Sequence, residues 1–188
     1  MIHHTAIAVK DVARSHKFYT EVMGFELAKV VKRQTPIGGW TKHIFYDIGG
    51  GALHAIWDLR GLEESGKLDP ESWRGGMSTG VGLPYWINHL AFNVSGPEEF
   101  EQKKQRWLDH GQNVAEVDHE FIRSIYTRDP DGTLVEWTYA TRPLNDDDKA
   151  EALRLLADDT PATQPDYEAV VHRPKVPYDV GAPAAPVG

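Results

Sequence analysis

Three side chains of the kind that bind divalent metals stand at unusual places in this sequence. His4 and His89 each lie near the start of an apolar, strand-like run, HHTAIAV and NHLAFNV, and Glu136 lies inside the run TLVEWTYA. A carboxylate between Val135 and Trp137 is unfavourable in a buried strand unless it is paired or binds a cation. Two imidazoles and one carboxylate form the facial ligand set that binds non-haem Fe(II) and leaves coordination positions open. The three residues therefore predict a metal site with room for a substrate.

Strand alternation places these donors on faces with space beside them. His4 shares its face with Ala6 and Ala8, and His89 shares its face with Ala91, because alternate residues of a strand point the same way. Taken singly, each histidine has a simpler explanation as a hydrogen-bonded core residue, and Glu136 has one as an edge residue that faces water. Their matching positions in a repeated pattern favour the metal site.

The elements that must position the donors form a repeat of one strand, one helix and three strands. A Gly ends each predicted helix, and a Gly-bearing turn precedes the last strand of each half. Two incomplete sheets can bury one another, so the repeat predicts an α+β fold of paired βαβββ modules that form a cupped mixed sheet around the metal site. In the first module we predict a helix over 12–23 and strands over 2–9, 25–31, 40–48 and 52–59. In the second module we predict a helix over 97–110 and strands over 88–94, 113–119, 121–129 and 133–140.

The predicted domain covers residues 1–141, with modules at 1–57 and 87–141. The inserted loop 58–86 is glycine-rich and carries aromatic residues, and loops of this length are usually functional lids or disordered segments. The tail 142–188 predicts a short helix and then an extended Pro/Ala/Gly-rich end, either flexible or draped over a neighbour.

The composition excludes several classes of function. The chain has 188 residues, a formal net charge of −8, nine His and no Cys. The acidic balance argues against nucleic-acid and anionic-membrane partners, because phosphates are repelled. The missing Cys excludes disulfides, thiolate nucleophiles and Cys-based metal sites. The sequence shows neither a signal peptide nor an apolar run of about 20 residues, so we expect a soluble cytoplasmic protein.

The second module carries a motif with a family resemblance. The doubled βαβββ pattern, with an early His in each half and Glu in the last strand, resembles the vicinal oxygen chelate superfamily of glyoxalases, bleomycin-resistance proteins and dioxygenases. The resemblance covers about residues 1–140. Within it, the motif resembles the signature of single-domain type I extradiol ring-cleavage dioxygenases, carried by His119, Ile125, Tyr126, Asp129, Pro130, Gly132 and Glu136.

The resemblance implies roles for further residues. His119 would line the substrate pocket, and Tyr126 would donate a hydrogen bond near the metal. The acid–base group would be a His that follows the last strand of the first module, and His54 is the first candidate. Glu136 lies four residues after Gly132 of the turn that precedes it. The same spacing in the first module leads from Gly50 to His54 or from Gly51 to Ala55. The choice matters because a shift of one residue turns a side chain to the other face of the sheet. His43 is the rival.

The implied activity is cleavage of a catechol-type aromatic ring with O2 next to the vicinal diol, on a metal held by His4, His89 and Glu136. Fe(II) is the expected cofactor and Mn(II) the alternative, the partners are a small aromatic diol and O2, and the assembly is a homodimer or larger homo-oligomer. Two other functions stay open: a glyoxalase-type isomerase or thiol transferase, and a non-catalytic protein that binds an aromatic ligand.

Other residues receive less specific expectations. The aromatic side chains Trp73, Tyr85 and Trp86 of the inserted loop either line the pocket or anchor the loop. His16, His110 and His172 are expected in solvent, and His3 is expected to pack against neighbours or to lie at the surface.

Overall fold

Two mixed sheets form the body of the chain. The computed structural model describes residues 2–62, 66, 68, 69 and 73–177. The first sheet has the strand order β1-β4-β3-β2, with β1 and β4 parallel and the other pairs antiparallel. Its strands are β1 (His4–Ala8), β2 (Glu26–Gln34), β3 (Trp40–Asp47) and β4 (Leu53–Arg60).

The second sheet repeats this arrangement and adds one strand. Its order is β5-β8-β7-β6-β9, with β5 and β8 parallel. Its strands are β5 (His89–Asn93), β6 (Val114–Asp118), β7 (Ile122–Arg128), β8 (Leu134–Ala140) and β9 (Ala169–His172). The predicted paired βαβββ modules are confirmed, whereas the strand β9, which the tail contributes, was not predicted.

The two modules carry equivalent helices. The first, α1 (Val12–Lys17), begins at Asp11, whose side chain accepts hydrogen bonds from two backbone amides, and continues as a π-helical turn over Phe18–Val22. The second is α2 (Pro97–Asp109). Gly24 and Gly111 follow the two helices with φ of 79° and 76°. Glycine adopts this left-handed conformation readily, so each ends its helix as predicted.

One hydrophobic core joins the two modules. It contains Ile44, Tyr46 and Ile56 of the first sheet and Phe92 and Trp137 of the second, together with side chains of both helices. Phe92 and Trp137 alternate with His89 and Glu136 along β5 and β8. In the first sheet, His4 pairs with Leu53 of β4, whereas Ile56 lies an odd number of residues away and points to the other face. The faces that carry His4 and His89 are therefore the faces opposite the shared core.

The turn before β8 ties the second module to the first. Within it, the amide of Gly132 donates to the carbonyl of Asp129 over 3.0 Å. The Tyr19 hydroxyl donates to Oδ2 of Asp129 over 2.9 Å, and the backbone amide of Lys10 donates to Oδ2 of Asp131 over 2.9 Å. The two modules are thus joined by polar contacts as well as by the core.

The outer strand of the first sheet is largely exposed. All but one residue of β2 is exposed, including the side chains of Leu27 and Val30. A bulge between Leu27 and Lys29 interrupts its pairing with β3.

The segments outside the repeat have limited regular structure. Strand β4 runs to Arg60, beyond the predicted start of the inserted loop, and the described part of that loop contains a 3-10 helix at Thr79–Val81. The tail contains α3 (Asp146–Leu156), close to the predicted helix. Much of the Pro/Ala/Gly-rich end lies outside the described residues. No helix in the described part of the chain is long and apolar enough to cross a membrane.

Candidate metal and substrate site

A large open cavity lies on the face of the second sheet that carries His89. Its volume is about 1050 Å³. It is lined by residues of four strands, the inserted loop and the tail, among them His89, Ala115, Val117, His119, Tyr126, Tyr85, Trp86, Tyr167, Ala169 and Val171. Ala115, Val117 and Ala169 line part of this face, whereas Ala91, the small residue that the sequence places beside His89, is not among the residues that line the cavity.

His89 and Glu136 meet at this face. Nε2 of His89 lies 3.1 Å from Oε2 of Glu136. The other carboxylate oxygen of Glu136 accepts a hydrogen bond of 2.6 Å from the Ser124 hydroxyl. Glu136 is only 2% exposed, and among the described residues His89 is its one ion-pair partner. A buried carboxylate with no Lys or Arg beside it has an incomplete charge balance.

The tautomer of His89 bears on what this pair can bind. Its Nδ1 lies 3.1 Å from the carbonyl oxygen of Ile87, a contact that requires the hydrogen on Nδ1. In the neutral ring Nε2 then presents a lone pair toward a carboxylate oxygen. Two acceptors at this distance repel unless a proton or a cation lies close to both. The pair therefore fits a divalent cation, and the carbonyl of Ile87 orients the ring as second partners of metal-bound histidines do.

His119 and Tyr126 form a second pair on the same face. Nε2 of His119 lies 2.9 Å from the Tyr126 hydroxyl, and the Tyr126 ring packs edge-on near His89 with centroids 6.3 Å apart. Burial, reinforced by the charge of Glu136, raises the pKa of Tyr126 to about 12. The hydroxyl thus keeps its hydrogen at neutral pH and can donate to a bound ligand. The structure brings His89, Glu136, His119 and Tyr126 together.

His4 lies elsewhere, on the open face of the first sheet. It is exposed, and its ring packs near His43 and Phe45 with centroids 6.3 and 5.8 Å apart. Within the ranges that the structure describes, no three His, Asp or Glu side chains are grouped so that they could hold a metal. His4 therefore does not join His89 and Glu136 within one chain.

The position equivalent to Glu136 in the first module is Ala55. In the parallel pairs, His4 lies opposite Leu53 as His89 lies opposite Leu134, so Ala55 corresponds to Glu136. The alternative count from Gly51 is thus correct, and the placement of His54 at that position is wrong. The physical reason is strand parity: one residue of register turns His54 to the opposite face.

His54 is a core residue. It is fully buried between Tyr19 and Phe92, and its Nδ1 lies 3.0 Å from the Thr5 hydroxyl. Burial lowers its pKa to about 4, so the ring is neutral.

His43 lies on the face of the first sheet that carries His4, opposite to the face that carries His54. Its ring stacks on Trp57 with centroids 3.6 Å apart, and its Nε2 is buried without a hydrogen-bond partner among the described residues. Burial lowers the pKa of His43, and the nearby His4 lowers it further.

The aromatic residues of the inserted loop divide between the two surroundings predicted for them, and His16 differs from its predicted surroundings. Tyr85 and Trp86 line the cavity, whereas Trp73 packs beneath the Lys10 ammonium at 4.0 Å. His16 is not free in solvent, because its Nδ1 lies 3.0 Å from the Tyr46 hydroxyl.

The largest correction concerns the tail. His172 binds the buried carboxylate of Glu116 over 2.9 Å, and the cavity wall includes Tyr167 and Val171. The only signal in the sequence was the short run AVV before His172, which is too brief to distinguish a strand from a linker.

Relatives of known structure share this architecture. The crystal structure of a glyoxylase/bleomycin resistance protein/dioxygenase domain from Frankia sp. EAN1pec superposes with a TM-score of 0.53 at 17% identity, covering 74% of this chain and 97% of that one. A genomically encoded fosfomycin resistance protein from Listeria monocytogenes, crystallised as a mutant with Mn(II) and a dihydroxypropylphosphonic acid, superposes with a TM-score of 0.50 at 20% identity, covering 82% and 97%. At these identities the likeness concerns the fold.

Sequence comparison gives one curated relative and one family. The chain is 27% identical over 144 residues to catechol-2,3-dioxygenase from Bacillus subtilis (strain 168), a match that covers 76% of this chain but only 42% of that protein. The sequence profile of a superfamily matches residues 1–137, nearly the whole of both modules. With its paired βαβββ modules, the chain belongs to the Glyoxalase/Bleomycin resistance protein/Dioxygenase superfamily, whose members are the vicinal oxygen chelate proteins.

Proposed function

We propose that this protein is an extradiol dioxygenase that cleaves a catechol-type ring with O2 next to the vicinal diol. The observation that carries the proposal is the meeting of His89 and Glu136 beside His119 and Tyr126 at one open cavity. The match to catechol-2,3-dioxygenase supports it. Glyoxalase-type isomerases and ligand-binding proteins share the fold, so the arrangement of polar groups around the cavity is what favours ring cleavage.

The proposed metal ligands are His4, His89 and Glu136. Fe(II), with Mn(II) as the alternative, would supply the Lewis acidity and redox chemistry that ring cleavage with O2 requires. His89 and Glu136 would fit this ion, because an imidazole nitrogen and a buried carboxylate converge with no Lys or Arg paired to the carboxylate among the described residues.

His4 would come from a second copy of the chain. The faces that carry His4 and His89 lie opposite the core that the modules share, so a closed site within one chain would require the core to open. In a dimer related by a two-fold axis, the first sheet of each copy can cover the second sheet of the other, which forms two identical sites. The expected homodimer and the expected ligand set thus depend on the same contact.

The residues of the chain itself would bind, orient and move protons. Tyr126 keeps its hydrogen and would donate to a diol oxygen as charge develops there. His119, with its hydrogen on Nε2, would donate to the Tyr126 oxygen 2.9 Å away, which leaves the hydrogen of the Tyr126 hydroxyl for the diol. His43, on the face that carries His4, would be the acid–base group, since a neutral imidazole can take a proton from the diol and return it later. A covering second sheet would exclude water from the cavity.

Oxygen uptake is the direct test of the proposed function. Protein reconstituted with Fe(II) under anaerobic conditions is expected to consume O2 on addition of catechol in aerated buffer and to form a yellow ring-opened product. Glu136→Gln is expected to remove both metal and activity, and Glu120→Gln, an exposed change on the loop between β6 and β7, serves as the control. Metal content without oxygen uptake would favour an isomerase or transferase, and diol binding without metal would favour a binding protein.

The shared site has its own test. His4→Ala and His89→Ala chains are each expected to be inactive, whereas a mixture that exchanges subunits should recover activity. Half of the dimers are then mixed and each has one intact site, so roughly a quarter of wild-type activity is expected. A mixture that stays inactive after confirmed subunit exchange would contradict the shared site.

A further inference from the structure

The tail that follows the family match contributes a wall of the cavity. Strand β9 pairs antiparallel with β6, with Val171 opposite Ala115 and Ala169 opposite Val117. All four side chains line the cavity, while Val170, the residue between Ala169 and Val171, does not and is 58% exposed. The tail therefore extends the concave face of the second sheet by one strand.

A cluster of charged and polar side chains around the buried Glu116 holds this strand in place. Glu116 is 6% exposed and accepts hydrogen bonds from Lys104 over 2.9 Å and from Arg123 over 2.8 Å. Nε2 of His172, at the end of β9, lies 2.9 Å from the same carboxylate. Burial raises the pKa of Glu116, but the hydrogen bonds from Lys104 and Arg123 outweigh burial and leave this pKa below its usual value. Glu116 thus stays ionised and gives His172 a fixed anchor.

Tyr167, just before β9, contacts the proposed catalytic pair. Its ring packs edge-on against His119 with centroids 4.7 Å apart, and His119 in turn contacts the Tyr126 hydroxyl. Tyr167 lines the cavity and is 55% exposed, so its ring stands at the cavity wall rather than in the core.

We propose that the tail strand is the specificity-determining wall of the cavity and that Tyr167 limits the size of the ring substituent that a bound diol carries. This inference rests on the proposed function and deepens it. The diol end of the ligand would face His89 and Tyr126. A substituent that extends toward the tail would meet the rings of Tyr167 and His119 and the small side chain of Ala169. Small catechols would fit, and biaryl diols would be disfavoured.

The test compares the affinities of two diols under anaerobic conditions. Binding of catechol and of 2,3-dihydroxybiphenyl to the full-length metal-loaded protein is measured by calorimetry, which does not depend on turnover. Tyr167→Ala is expected to raise the affinity for the biphenyl relative to catechol by about tenfold, because the smaller side chain relieves the crowding of the second ring at the wall. Ala169→Phe, which adds bulk to the same wall, is expected to shift the ratio the opposite way.

Two controls keep the interpretation specific. Tyr167→Phe retains the ring, and Val170→Ala changes the same strand on its other side, so both are expected to keep the wild-type ratio. A ratio unchanged in both Tyr167→Ala and Ala169→Phe, with the tail still folded by circular dichroism, would overturn the proposed wall while leaving the proposed function intact. If the wild-type protein binds neither diol, the proposed function and this inference fail together.

Discussion

Glu136 shows how one hydroxyl can prepare a carboxylate for a cation. Ser124 is fully buried and donates to Oε1 of Glu136, which leaves Oε2 directed at His89. The Ser124 hydroxyl also lies 2.9 Å from the Thr138 hydroxyl. The carboxylate is therefore held in one orientation by a group that does not itself contact the proposed metal.

Removing this hydroxyl should weaken metal binding without abolishing it. Ser124→Ala frees the Glu136 side chain to rotate, and we expect metal affinity to fall by about 10- to 100-fold, as for other partners of ligating carboxylates. Competition with a metal-chelating dye measures the change. Thr138→Val, which alters the other hydroxyl of this group, is the matched control and should keep affinity within about threefold. Equal losses in both variants would show that general packing, not the bond to Glu136, sets the affinity.

The sequence allows the residues of the proposed site to be predicted, but not the residue that orients Glu136. His89 and Glu136 stand out because an imidazole and a carboxylate are unusual in apolar strands. Ser124 carries no such signal, since serine is common in strands. Its importance arises only when β7 pairs with β8 so that Ser124 lies opposite Thr138, beside Glu136.

Among the elements, the register of β4 decides which histidine lies on the face of the proposed site. His54 and His43 lie on neighbouring strands but on opposite faces, with His54 opposite Tyr46 and His43 opposite Trp57. Three successive glycines before β4 allow two counts from the hairpin, and the two counts give opposite faces. The sequence therefore predicts the strand and its pairing, but not which of its side chains point to which face of the sheet.

The same substitution at the two histidines should separate their roles. Phe preserves the ring packing of either residue. We expect His43→Phe to lower turnover by about 10²- to 10⁴-fold, the usual contribution of an acid–base group. His54→Phe should leave turnover within about twofold, and it should change the free energy of unfolding by about 1 kcal/mol through loss of the hydrogen bond to Thr5. Steady-state kinetics and urea unfolding measure both, and a large loss of turnover in His54→Phe alone would contradict the assignment.

For the whole molecule, the junction between the modules has a carboxyl group that resists ionisation. Asp129 is 5% exposed, and burial raises its pKa to about 6, although hydrogen bonds from Thr133 and Tyr19 act in the opposite direction. The folded state thus keeps this proton between about pH 4 and 6, where the unfolded chain has lost it. The contribution of Asp129 to stability is therefore present at low pH and is lost as the pH rises through about 6.

Replacing this carboxyl should remove that pH dependence. Asp129→Asn keeps an oxygen for the backbone amides of the turn but cannot ionise. We expect the stability of the Asn variant relative to wild type to increase by about 2 to 3 kcal/mol between pH 4 and pH 7. Urea unfolding at several pH values gives the free energy of unfolding of both proteins. Because all other groups titrate alike in the two proteins, their contributions cancel when one free energy is subtracted from the other. A difference that does not change with pH would show that Asp129 ionises normally in the folded state.

The arrangement of the modules is the part of the fold that the sequence did not reveal. Alternation along β1 and β5 predicts which side chains share a face, and the structure confirms that pattern at His89. It does not say which faces pack together. Phe25, Phe92 and Trp137 pack on one another across the modules. The shared core is therefore built from the sheet faces opposite His4 and His89, whereas a metal site inside one chain would require the faces that carry these histidines to meet. Convergence of His4 with His89 could not be judged from strand patterns, because it depends on this choice.

The exposed strand β2 presents unpaired backbone groups along one edge of the first sheet, which could recruit a strand from another molecule. Its bulge at Leu27 and Lys29 breaks the regular spacing of those groups, and Lys32 and Arg33 add positive charge close to one another. Irregular spacing and like charge both oppose edge-to-edge pairing between copies. The long edge is therefore expected to stay open at high protein concentration without seeding aggregation, and the proposed dimer would use the faces of the sheets instead.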